Sequence, residues 1–99
     1  MSTPWFVYLL RCADGTLYAG VTTDVTRRVD EHNHSDKLGA RYTRARRPVQ
    51  LFHSEPAASR AEACRREAAI RKLSRADKLA LAHNTGFPRP QGEGQGEGI

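Results

Sequence analysis

The sequence predicts an α/β domain: a small, mainly antiparallel three-stranded sheet flanked by helices, in the order β-β-α-β-α-α. Three observations carry this. Residues 5–12 and 16–22 are rich in aromatic and β-branched side chains and flank an Asp14-Gly15 turn signal. Two helix-start patterns, Ser59-Arg60-Ala61-Glu62 and Ser74-Arg75-Ala76-Asp77, punctuate the second half. The 99 residues suffice for one compact core and not for two.

The hairpin has a preferred register. A two-residue loop would put Tyr8 and Tyr18 on opposite faces and mix polar with apolar side chains on both. A three-residue loop, Ala13-Asp14-Gly15 with Gly15 left-handed, pairs Cys12 with Thr16 and keeps parity. One face then carries Trp5, Val7, Leu9 and Arg11 with Leu17, Ala19 and Val21. The other carries Phe6, Tyr8, Leu10 and Cys12 with Thr16, Tyr18, Gly20 and Thr22. Both tyrosines share this second face, and Gly20 opposite Tyr8 leaves the phenol room.

Asp24 is a good N-cap for a helix to about residue 33, with Val25, Val29 and His32 on one stripe. Arg28 and His32, at i and i+4, are neighbours on it. Residues 48–54 read as a short strand. The helix opened by Ser59 runs to about residue 73, with Ala57, Ala61, Cys64 and Ala68 as its apolar stripe and Glu67 beside them. A last helix ends near residue 83. From residue 85 the chain reads TGFPRPQGEGQGEGI, too poor in apolar groups to offset its ordering entropy. The expected organisation is therefore a domain over 1–84 and a disordered Gly/Pro/Glu-rich tail over 85–99.

Charge narrows the function. The chain carries 16 Lys plus Arg against 11 Asp plus Glu, a formal net charge of +5. Thirteen of those cations are Arg, whose planar fork suits bidentate phosphate contacts. Residues 37–47, KLGARYTRARR, hold five basic side chains and no acid, with Tyr42 among them. Residues 60–78 add seven basic against three acidic side chains. Two such blocks on one small domain point to a polyanion, most simply a nucleic acid. The longest apolar run, residues 5–10, is far short of the roughly 20 needed to span a bilayer. No signal-peptide pattern opens the chain. Cys12 and Cys64 form neither a disulfide framework nor a C-x-x-C pair, and His32 and His34 are two apart, so no structural zinc site is expected. A cytoplasmic protein without membrane attachment is the expectation.

The stretch FVYLLRCADGTLYAGVTTDVTRRVDEH resembles the GIY-YIG nuclease superfamily, and the chain to about residue 81 resembles its small single-domain bacterial group. Phe6-Val7-Tyr8 stands for the first family motif and Tyr18-Ala19-Gly20 for the second. The helix arginine falls at Arg28, a histidine four residues on at His32, and the metal-binding glutamate at Glu67. GARYTRARRPV also looks typical of the small group. Phe6 stands where the name motif has Gly, and no role is transferred to Asn84.

This resemblance implies a GIY-YIG-like fold and a metal-dependent, structure-selective endonuclease acting on DNA in repair or recombination. Glu67 would hold one Mg²⁺ or Mn²⁺ with water and phosphate oxygens. Arg28 would stabilise charge on the phosphoryl oxygens. Tyr8 or Tyr18 would take a proton from water. A free phenol has a pKa of about 10, so that role needs a nearby cation and His32 as proton acceptor. Gly20, Arg27, Lys37, Arg41, Tyr42, Arg44, Arg46 and Arg47 are the expected nucleic-acid contacts. Each residue also has an ordinary explanation, such as an i, i+4 ion pair between Glu67 and Arg71. The competing function is a non-catalytic nucleic-acid-binding module that keeps the fold; an interaction domain for another protein in repair is a third.

Overall fold

The computed structural model describes residues 3–83. The proposed tail lies outside the described residues. Seven elements follow one another: β1 (Trp5–Arg11), β2 (Leu17–Thr22), α1 (Val25–His34), α2 (Arg41–Arg44), β3 (Gln50–Ala57), α3 (Arg60–Arg71) and α4 (Arg75–His83). The six expected elements stand in the expected order, and the one-turn α2 is an addition within the basic segment. The sheet is antiparallel, with strand order β2-β1-β3, so β1 is central and both its neighbours are edges.

The hairpin adopts the parity-preserving register. Tyr8 pairs with Gly20 and Leu10 with Tyr18, which sets both phenols on one face. The Cys12 amide donates to the Thr16 carbonyl at 2.8 Å, and Gly15 sits at φ +86°, a value that favours glycine. A Cβ at position 20 would collide with the Tyr8 phenol, so the small residue is required there.

Helices cover both faces. Val7, Leu9 and Ala19 pack under Ala63 and Ile70 of α3, joined by Phe52, Leu73 and Leu81. Tyr8, Leu10, Cys12 and Val49 form the opposite core, against Tyr18 and Val29. The caps read from sequence are in place. Asp24 Oδ1 accepts from the Arg27 amide at 3.0 Å, Ser59 Oγ from Glu62 at 3.2 Å and Ser74 Oγ from Asp77 at 3.1 Å.

Two details correct the sequence reading. The third strand begins at Gln50 rather than 48 and runs on to Ala57, beyond the expected residue 54. Its start is delayed because the Asn33 side chain takes both backbone groups of Val49, accepting from its amide at 2.7 Å and donating to its carbonyl at 3.0 Å. Pro56 is tolerated at the far end because β3 is an edge strand. The stripe of α3 is also phased differently. Ala63 and Ile70 are its buried positions, Ala61 is exposed and Ala57 belongs to β3. Ile70, the one large apolar side chain of α3, sets the phase, and Glu67 then falls on the buried stripe rather than beside it. Behind the sheet, His53 Nε2 lies 2.7 Å from Glu55 Oε2, and Arg66 Nε donates to Glu55 Oε1 at 2.6 Å, tying β3 to α3.

Candidate active site

The site assembles on the tyrosine face of the sheet. Tyr8 projects from the central strand and is 2 % exposed; its Oη lies 2.9 Å from His32 Nε2. His32, fully buried on α1, turns its Nδ1 toward Thr43 Oγ1 at 2.7 Å. Thr43 is also fully buried and comes from α2, so the basic segment folds back across α1. Arg28, one turn before His32, lies against the Tyr8 phenol. Its Nη1 donates to Glu31 Oε1 at 2.8 Å and to the Leu38 carbonyl at 2.6 Å.

Electrostatics sort these groups. Burial pushes the Tyr8 phenol above its ordinary value, and the Arg28 guanidinium beside it offsets only part of that. The cation and the proton acceptor required for a phenol base are thus both present, yet the resting phenol keeps its proton. Burial, then the positive charges of Arg28 and Arg47 against a smaller opposing effect of Glu31, lower the His32 pKa to about 4. At neutral pH the ring is uncharged and its bare nitrogen can accept a hydrogen bond; the depression makes it a weak base, and a phosphate charge entering the site would strengthen it.

Tyr18 stands on the edge strand. Its ring meets the His32 ring edge-on, with centroids 5.5 Å apart, and stacks on Tyr42 at 5.5 Å and 22°. The Arg46 guanidinium lies 3.9 Å from the Tyr42 ring centre. Glu67 reaches the same place from the other side of the sheet, round the open edge of β2. Leu17, Tyr18, Ala19, Tyr42, Glu67 and Arg71 line one cleft of about 260 Å³. The Glu67 side chain is 15 % exposed, and its Oε1 accepts from Arg71 Nη2 at 2.8 Å, the ion pair foreseen as the ordinary alternative. Its second oxygen has no partner among the described residues.

That donor set fits one kind of metal site. Among the described residues no three His, Cys, Asp or Glu side chains come together. A single carboxylate in an open cleft suits Mg²⁺ or Mn²⁺, which complete their shell with water and phosphate oxygens, and not a caged zinc.

The basic segment divides in two. Lys37, Arg41, Tyr42 and Arg44 are exposed, as is Arg27, which reaches Glu31 at 3.5 Å. Arg46 is held by Asp14 Oδ2 at 3.1 Å and by the Tyr42 carbonyl at 2.9 Å. Arg47 is used inward: it donates to the His32 carbonyl at 2.6 Å, the Ser35 carbonyl at 2.9 Å and Asp36 Oδ1 at 2.9 Å. It thereby satisfies end carbonyls of α1 that the helix itself leaves open. Gly20 serves the Tyr8 phenol. Thr43 is the site residue that the sequence reading missed, and only its place between the arginines could have drawn attention to it.

A fold that groups Tyr8, His32 and Arg28 on one sheet face, and sets Tyr18 between that group and the Glu67 cleft, has a counterpart in known proteins. The family description "GIY-YIG catalytic domain" matches residues 4–80. The chain belongs to the GIY-YIG family. A UPF0213 protein of Desulfotalea psychrophila is 55% identical over 85 residues, 84% of this chain and 76% of that protein. A UPF0213 protein of Halobacterium salinarum is 59% identical over 75 residues, 76% of this chain and 95% of that one. The solution NMR structure of a UPF0213 protein from Bacillus halodurans is similar with a TM-score of 0.53 and 41% identity, covering 86% of this chain and 88% of that one. The solution NMR structure of a protein from E. faecalis gives a TM-score of 0.57 at 38% identity over 90% of this chain and 96% of its own. These relatives support a small single-domain GIY-YIG group. GIY-YIG membership implies nuclease activity and a nucleic-acid substrate, and nucleases of the family generally use divalent metal ions. Among the described residues no helix is long and apolar enough to cross a membrane.

Proposed function

We propose that the protein is a metal-dependent, structure-selective endonuclease that hydrolyses phosphodiester bonds in DNA, in repair or recombination. The observation that carries this reading is the 2.9 Å contact between the Tyr8 phenol and an uncharged His32, with Arg28 alongside. A phenol becomes a useful base when its own proton has somewhere to go. Here the water oxygen attacks phosphorus while its proton passes to Tyr8 Oη and the Tyr8 proton passes to His32 Nε2. Tyr8, rather than Tyr18, is assigned this role, because the Tyr18 hydroxyl has no such acceptor among the described residues. Arg28 neutralises charge on the phosphoryl oxygens. Glu67 would hold one Mg²⁺ or Mn²⁺ in the cleft, and when bound the ion supplies Lewis-acid stabilisation of phosphate and leaving oxygen. Tyr18 and Tyr42 form the wall across which the strand lies.

Exposed cationic side chains such as Lys37, Arg41 and Arg44 suit backbone phosphate contacts, which position a duplex without reading its sequence, hence recognition of shape over sequence. The test is a cleavage assay on DNA flaps, forks, single strands and duplexes, with matched RNA, in Mg²⁺ and in EDTA. Metal-dependent cleavage of branched DNA that disappears in Tyr8→Phe supports the proposal. Salt-sensitive binding with no cleavage under any condition assigns the non-catalytic module instead.

The division of the basic segment sharpens a second expectation. Replacing Lys37, Arg41 and Arg44 together by Ala should weaken binding alike for all sequences. It should also flatten log affinity against log salt by about one unit per lost contact. An unchanged slope in a salt titration would mean these side chains never meet the backbone. Arg47→Ala should instead lower the melting temperature, because its donors hold the end of α1.

A further inference from the structure

We infer that Thr43 is a positioning residue for the proton transfer: its hydroxyl holds the His32 ring in the tautomer with hydrogen on Nδ1, leaving Nε2 bare to receive the proton of Tyr8. The catalytic part of this inference rests on the nuclease reading above; the tautomer does not.

The argument is one of counting hydrogens along a buried chain. A threonine hydroxyl has a single hydrogen to give. Thr43 Oγ1 donates it to the Ala40 carbonyl at 3.0 Å, within its own helical turn. The same oxygen lies 2.7 Å from His32 Nδ1, so at that contact it accepts, and the ring nitrogen carries the hydrogen. The other end of the chain makes the same demand independently. The buried Tyr8 hydroxyl also has one hydrogen, and His32 Nε2 at 2.9 Å is its acceptor among the described residues. An acceptor nitrogen on a neutral ring leaves the hydrogen to the other one.

Each tautomer leaves one donor unmet: hydrogen on Nδ1 forgoes only the long 3.4 Å contact from the part-buried Ala40 amide, whereas hydrogen on Nε2 forgoes the buried Tyr8 hydroxyl. Thr43 and the Ala40 amide, 3.4 Å from Nδ1, would then both donate to that nitrogen, and Nε2 would donate to Tyr8 Oη. The hydrogen of Tyr8, a side chain only 2 % exposed, would then have no acceptor among the described residues, an arrangement that folded proteins avoid. In the reaction, the Tyr8 O–H bond breaks and an N–H bond forms at Nε2. The resulting imidazolium keeps its Nδ1 hydrogen on Thr43, while the phenolate oxygen takes the proton of the attacking water. The leaving oxygen departs with the electron pair of the broken P–O bond. Thr43 touches neither substrate nor metal; it acts through the ring.

Imidazole nitrogen NMR of the full chain at neutral pH, with His32 assigned by comparison with His32→Gln, tests the tautomer without any catalysis. The expected spectrum shows Nδ1 protonated and Nε2 pyridine-like; a proton on Nε2 would overturn the inference. Thr43→Val keeps the shape and removes the hydroxyl. It should mix the two tautomers and lower kcat by about 10-fold or more, with DNA Kd within about twofold, while Thr43→Ser restores both readouts. Unchanged nitrogen shifts and kcat in Thr43→Val would also overturn it. If Thr43→Val fails to fold, the wild-type spectrum and Thr43→Ser still decide. Wild-type protein that never cleaves but shows the expected spectrum would defeat the nuclease reading and leave the tautomer standing.

Discussion

Glu67→Gln is expected to abolish metal-dependent cleavage while leaving most of the DNA affinity in place. Glu67 lies on the buried stripe of α3 between Ala63 and Ile70, yet it lines the cleft with Tyr18 and Tyr42. An amide of the same shape keeps the packing and loses the negative charge on which cation binding depends. The pair with Arg71 is lost too, but that partner is largely exposed and an i, i+4 pair contributes only a few tenths of a kcal/mol. Affinity survives because the exposed basic side chains of residues 37–44 lie on other elements. High Mn²⁺ should restore part of the rate through the weaker amide oxygen. Arg28→Ala makes the contrast: its rate should fall by roughly 10²-fold or more, the scale for a preorganised charge stabiliser, with no recovery at any metal concentration. Arg28→Lys should recover only part, because an ammonium lacks the fork that reaches Glu31, Leu38 and Tyr8 together. Single-turnover rates with matched binding curves decide this. If Glu67→Gln loses affinity and cleavage in equal measure, the carboxylate serves binding and the metal assignment fails.

Side chains whose position follows from local periodicity were legible in the sequence. Parity along two strands was enough to bring Tyr8, Tyr18 and Gly20 together, because slipping the register by one residue would turn every side chain to the other face. The i, i+4 spacing put Arg28 beside His32, and a buried His32 closing the α1 stripe was likewise expected. What stayed hidden depends on chain folding back over long distances. Thr43 sits among arginines in a segment that reads as a phosphate-contacting surface, and its burial arises only when residues 35–47 cross α1. Arg47 looks like another phosphate contact until its donors are found on His32, Ser35 and Asp36. The phase of α3 was misread because alanines fit either side of a helix, and only Ile70 discriminates. The encounter of Glu67 with Tyr18 crosses the sheet edge, which no spacing within one element encodes.

Stability should fall as the pH drops from about 6.5 toward about 4, and His32 should account for much of the fall. In the unfolded chain a histidine titrates near 6.5; in the fold, burial first, then the charges of Arg28 and Arg47, lower this to about 4. Between those values the unfolded state binds the proton more readily, so acid favours unfolding there. The stabilisation is complete above the unfolded value and is lost as pH falls through the folded one. Its size is on the order of 3 kcal/mol, a large share of what a small domain has. Further loss below about pH 4 belongs to Asp14 and Glu55, whose carboxyls are held low. For Asp14 the cause is its hydrogen bonds from Thr16; for Glu55, contacts with Arg66 and His53 outweigh its burial. Urea denaturation at half-unit pH steps reads the effect. His32→Gln should be less stable at neutral pH but nearly flat between 6.5 and 4, since the group that titrates there is gone. A wild-type profile as flat as that of the variant would mean that the fold does not depress the His32 pKa, and the ring would not be held uncharged by its burial. The same titration therefore tests the proton acceptor on which the chemistry depends, in a measurement that requires neither metal nor DNA.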